Sequence, residues 1–140
     1  MIRSSFTPAD FILKILREGH PYDESVKKIL ILALEDISFE ISISSEVTLF
    51  KLPDAKELLT HYLDAEGRYL CLTINGEITL LETKDYEDLL FFYIEKRALD
   101  DETQELMFKH PKAKKLVKMH HKHQGLAPSV ERMAKDLGWI

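Results

Sequence analysis

Cysteine is almost missing from this chain of 140 residues: Cys71 stands alone, so no intramolecular disulfide can form, and a reducing cytoplasm is the expected home. Glycine is scarce as well, with five in all, and no turn gathers the several that a phosphate-cradling loop needs. There is no Gly-x-Ser-x-Gly elbow, no His-Glu-x-x-His and no pair of Cys-x-x-Cys knuckles. No apolar run is long enough to span a bilayer, and the opening MIRSSFTPADF lacks the apolar segment of a secretory signal. These absences argue against an enzyme and leave no cofactor or metal to expect. Acidic pairs such as Asp85 with Asp88 read as helix caps rather than as general acid and base.

Charge is present but unevenly placed. Residues 1–108 hold 11 Lys and Arg against 22 Asp and Glu, whereas residues 109–140 hold 8 against 2. An acidic body therefore carries a basic tail. At this length, with 45% hydrophobic residues, the chain can bury a sizeable core.

One stretch occurs twice. Glu46 to Leu63 (EVTLFKLPDAKELLTHYL) aligns without a gap on Glu77 to Ile94 (EITLLETKDYEDLLFFYI), 31 positions on, with seven of eighteen pairs identical. The likeness extends upstream, where Ser44-Ser45 falls opposite Asn75-Gly76. Asn-Gly is a strong signal for a tight hairpin turn, and Ile37, Phe39, Ile41 and Ile43 alternate with polar residues in the manner of a strand. Each copy accordingly reads as strand, turn, strand, helix, with strands near 37–43, 46–51, 68–74 and 77–83. Asp54 and Asp85 are the expected caps of the two repeat helices, and Cys71 is expected as a small buried side chain in the third strand.

Before the repeat, Thr7-Pro8-Ala9-Asp10 supplies a cap, a first-turn proline and an acid for one helix, and a second is expected from about Asp23 to Asp36. The unbroken apolar run Ile29 to Leu34 makes that second helix the expected centre of the core. After Asp100 the pattern is wholly helical, over about 101–109, Pro111 to Gln124 and 128–137. The fold class expected is therefore α+β: a four-stranded, mostly antiparallel sheet from two ββα repeats (37–64 and 68–95), two N-terminal helices and a helical tail. Residues 1–100 form the body and 101–140 the basic segment.

Two sets of residues are candidates for binding. The second repeat helix has Phe91 and Phe92 where the first has Thr60 and His61, so a further apolar side must be covered by another helix of the chain or by a partner. In the tail, Ala113, Leu116, Val117 and His120 form an apolar stripe, and Lys112, Lys114, Lys115, Lys118 and Lys122 lie off it. That basic face is open to three readings: a solvated surface, a contact for nucleic acid or another anionic partner, or a metal site from His110, His120, His121 and His123. The metal reading is the weakest, because the lysines repel a cation and no carboxylate or thiolate stands beside the histidines.

His121 to Gly138, with Gly125, Pro128-Ser129, Met133-Ala134 and Leu137-Gly138, resembles the opening of the DNA-binding domain of LexA-type repressors. With the preceding helix the resemblance covers residues 112–138, the first two helices of that domain. The chain stops at Trp139-Ile140, where the recognition helix would begin, so the resemblance implies a helix pair of helix-turn-helix type and no base-reading residues.

The function expected on these grounds is that of a small cytoplasmic regulatory or adaptor protein, not an enzyme, that binds a macromolecule. A protein is the leading partner, and homodimerisation is compatible with the same apolar surface. The alternative is a nucleic-acid-binding transcriptional regulator that uses the basic C-terminal helices.

Overall fold

The structure, a computed structural model, describes residues 7–37, 39–64 and 70–140. Its contacts divide the chain into two compact units, residues 1–72 and 73–140, with one copy of the repeated stretch in each. Among the described residues both units are helical and neither contains a strand. The expected α+β fold and its four-stranded sheet are therefore wrong.

The first unit comprises α1 (Pro8–Arg17), α2 (Glu24–Glu35), α3 (Ile43–Lys51) and α4 (Ala55–Leu63). Thr7 caps α1 as its sequence indicates, taking the Asp10 N–H while the Asp10 side chain takes the Thr7 N–H. Asp23 caps α2 through the Val26 N–H. The helices form two hairpins side by side, with α1 packed on α3 and α2 on α4. Their shared core holds Leu13, Leu30, Leu34, Leu49, Leu58, Leu59, Tyr62 and Leu63. The run Ile29 to Leu34 does not make α2 central. Leu30 and Leu34 are buried, but Ile29 is 57% and Leu32 67% exposed, because α1 and α4 cover only one side of the helix.

The second unit comprises α5 (Ile74–Glu82), a single 3-10 turn, α6 (Glu87–Lys96), α7 (Asp101–Leu106) with a 3-10 extension, α8 (Ala113–Gln124) and α9 (Pro128–Asp136). Again two hairpins pack side by side, α5 on α7 and α6 on α8, and α9 lies against α7. Val130 and Ala134 bury the inner side of α9, and beyond it Trp139 stacks on Phe108 with ring centroids 5.6 Å apart.

The strands fail for a physical reason. In α3 the buried positions are Ser45, Glu46, Thr48 and Leu49, at helical spacing, while Ile43 and Val47 face outward at 69% and 48% exposure. The inward side is mostly polar and the outward side partly apolar, so hydrophobicity reports the wrong period. In α5 likewise Glu77 and Gly76 are buried and Ile74 is exposed. Ser44-Ser45 and Asn75-Gly76 are first turns of helices: Ser42 Oγ accepts from the Ser45 N–H, and Thr73 Oγ1 from the Gly76 N–H. Of the remaining expected strands, residues 39–42 lead into α3 and form no strand, and residue 38 lies outside the described residues. Residues 70–73 lead into α5, and 68 and 69 lie outside the described residues. Cys71 is exposed, not buried. Asp54 stands at the N-cap of α4 but makes no capping bond; it accepts from Tyr22 Oη at 2.7 Å instead. Asp85 sits within the 3-10 turn, and α6 begins after Tyr86.

Buried polar side chains tie the hairpins together by a recurring device. In the first unit Asp10 Oδ1 accepts from the N–H of Ser42, the cap of the next hairpin. In the second, Glu77 Oε1 accepts from the N–H of Asp100, the cap of α7, and Gln104 Oε1 from the N–H of Ala127, the cap of α9. The residue before the cap is held from the other side. Tyr62 Oη accepts from the Ile41 N–H in the first unit, and His120 Nε2 from the Leu99 N–H in the second. Tyr62, Tyr93 and His120 occupy one pattern, following Leu58-Leu59, Leu89-Leu90 and Leu116-Val117 by the same spacing. At these junctions the backbone donors of Ile41, Ser42, Leu99, Asp100 and Ala127 are thus satisfied by side chains, as burial requires.

Candidate partner-binding face on the second unit

Sequence reasoning separates the phenylalanines from the lysines; the fold brings them to one surface. Because α8 packs along α6 through Leu116 and Val117, the residues beside that seam meet. The Lys115 ammonium lies 5.0 Å from the centroid of the Phe91 ring, and Lys96 lies 5.3 Å from that of Phe92. Both rings are half-buried, with a lysine ammonium over each. The neighbouring helix thus supplies part of the cover that Phe91 needs, while Phe92 is covered from its own helix.

The other lysines are spread along α8. Lys114, Lys118 and Lys122 are exposed on its outer side, while Lys112, at its N-cap, is engaged by Glu87 Oε1. That contact holds the Glu87 carboxyl below its usual range. The stripe of Leu116, Val117 and His120 faces inward and is fully buried, as the helical spacing implies.

The histidines do not converge. His120 is buried with both ring nitrogens engaged, Nδ1 against the Gly125 carbonyl at 2.7 Å and Nε2 against the Leu99 N–H at 3.0 Å. This pairing calls for the neutral ring with its proton on Nδ1, and burial lowers its pKa. Gly125 allows the turn that delivers that carbonyl, since its φ of +80° suits glycine. His110 Nδ1 accepts from the Lys112 N–H, and His121 and His123 are exposed. Among the described residues no group of three His, Cys, Asp or Glu could hold a metal ion.

The buried carboxylates likewise serve structure. Burial raises the pKa of Glu77 against the hydrogen bonds from Asp100 and Tyr93. At Asp10 burial acts the same way, but the bonds from Ser45, Thr7 and Ser42 outweigh it and hold the carboxyl below its usual range. The sequence pattern places Asp10 in a helix cap and His120 on an apolar stripe but shows the backbone partner of neither, and it gives no sign that Glu77 and Gln104 are buried, because buried polar residues look like surface ones until their partners are known.

No family model, curated protein or solved structure matches the chain. Its own geometry is that of paired helical hairpins in which buried polar side chains bind backbone N–H groups, with a cationic and aromatic face where α6 meets α8. No helix among the described residues is long and apolar enough to cross a membrane.

Proposed function

We propose that this protein is a small cytoplasmic adaptor or regulator, not an enzyme, that acts by binding another protein through the α6–α8 face. The observation that carries the reading is the Lys115 ammonium over Phe91, which makes the aromatic and basic candidates a single surface. Aromatic rings edged by cations suit an acidic segment with apolar anchors, since rings supply contact area and the lysines select the charge. Lys96 and Lys115 are the cations placed to do so. Stacked helical hairpins are also a common scaffold for extended binding surfaces.

Nucleic acid is the second reading, favoured by Lys114, Lys118 and Lys122 in a row on the outside of α8. In that reading the α8–α9 pair, which resembles the first two helices of a LexA-type domain, contributes phosphate contacts alone.

Pull-down of the tagged full chain from its native lysate, with and without nuclease, separates the two. A stoichiometric protein that survives nuclease and is lost with Phe91→Ala or Lys115→Glu supports the adaptor. Loss of every partner on nuclease treatment, with Lys118→Glu and Lys122→Glu abolishing capture and Phe91→Ala sparing it, overturns it in favour of nucleic acid.

A further inference from the structure

A second surface lies in the first unit, between α1 and α3, where Leu16, Ile43, Val47 and Leu52 line a cavity of about 480 Å³ together with Arg17 and Lys51. Ile43 and Val47 are one helical turn apart on α3 and are the exposed apolar residues that misled the strand assignment, at 69% and 48% exposure. Nothing in the packing of α3 requires them there, because its inward side is already filled by Ser45, Glu46, Thr48 and Leu49.

Charge says what would cover them. Residues 1–72 carry 8 Lys and Arg against 12 Asp and Glu, yet among the described residues no carboxylate lines this groove and two cations do. Arg17 is held in place, donating from Nη1 to Thr48 Oγ1 at 3.0 Å, and that hydroxyl in turn donates to the Ser44 carbonyl at 2.9 Å. The anchored guanidinium keeps further donors free for a carboxylate. Elsewhere in the unit Lys27 pairs with Glu57 at 2.9 Å, and His61 lies 3.0 Å from Glu35. The groove is thus a cationic, apolar spot in an acidic unit.

We infer that the α1–α3 groove docks an acidic amphipathic helix of a partner protein, its apolar residues on Ile43 and Val47 and its carboxylates on Arg17 and Lys51. A helix fits because one apolar turn on α3 is matched by residues at i and i+4 of an opposing helix. The inference rests on the protein-binding reading above but not on the α6–α8 face.

The test uses the full chain, isotopically labelled, titrated with a synthetic helical peptide that carries leucines at i and i+4 flanked by glutamates. A matched peptide with lysines in place of the glutamates is the control. The expected result is saturable methyl shifts at Leu16, Ile43, Val47 and Leu52 with the acidic peptide alone, weakened at least about tenfold by Lys51→Glu and by Ile43→Ser. Both substitutions fall on exposed positions, and an unchanged amide spectrum away from the groove certifies the fold. Lys115→Glu should leave this binding unchanged. Equal binding of the lysine peptide, no binding of either, or a self-association by light scattering that Ile43→Ser abolishes would each overturn the inference, the last in favour of a second copy. The pull-down through the α6–α8 face stands or falls separately.

Discussion

His120 is a core residue whose charge state is fixed by its neighbours. Both nitrogens are committed to backbone partners, and burial lowers its pKa from the ordinary 6.5. The unfolded chain therefore takes up a proton first, so the stability present above pH 6.5 is lost as the pH falls below it. Urea denaturation at neutral and mildly acidic pH should show this loss. His120→Tyr, which places there the residue found at Tyr62 and Tyr93, should flatten that part of the pH dependence. Glu77 has the opposite sign. Its raised pKa means that its contribution is favourable below the ordinary 4.5 and is lost as pH rises through the folded value. Glu77→Gln should hence be as stable as the wild type or more so at neutral pH, the advantage shrinking on acidification. Gln104 already performs the same task as a neutral side chain.

Among the elements, some were legible and some were not. Helix α1 could be read from the capping box of Thr7-Pro8-Ala9-Asp10, although its apolar residues divide, with Leu13 buried and Phe11 55% exposed, and α8 could be read from the stripe of Leu116, Val117 and His120, which is buried although Lys112 makes no capping bond. For α3 and α5 the sequence carried the repeat but not its conformation, since Glu46 and Glu77 point inward while Ile43 and Ile74 point out. What was readable there was the capping: Ser42 and Thr73 each precede by three residues an N–H that they accept. Strand propensity lost to those caps and to tertiary packing. Thr73→Ala should cost about 1 kcal/mol of stability in chemical denaturation, as loss of an N-cap does, whereas the same change in an extended strand would cost far less. The candidate face was half legible. The lysines of α8 and the Phe91-Phe92 pair could be picked out, but their meeting at 5.0 Å depends on α8 lying along α6, which no local pattern encodes.

Across the whole molecule, the junctions between hairpins should be as firm as the helices. The amides of Ile41, Ser42, Leu99, Asp100 and Ala127 lie outside helical hydrogen bonding but are held by Tyr62, Asp10, His120, Glu77 and Gln104. Hydrogen exchange at these five should be slow, near helix-interior rates, where ordinary connecting loops exchange fast. Rapid exchange there would show that the side chains do not grip the backbone. Far-UV circular dichroism should show helix without a sheet component.

The join from Gln104 to Ala127 has a consequence for how such a chain can grow. Its central bond uses a backbone N–H of the incoming segment, which any residue but proline supplies, and one side-chain oxygen of an earlier helix, carried by Asp10, Glu77 or Gln104 alike. That bond is indifferent to the side chain of the residue whose N–H it receives. Hairpins could be added, deleted or exchanged as interchangeable parts, each bringing its own outer surface while leaving the fastening of its neighbours untouched.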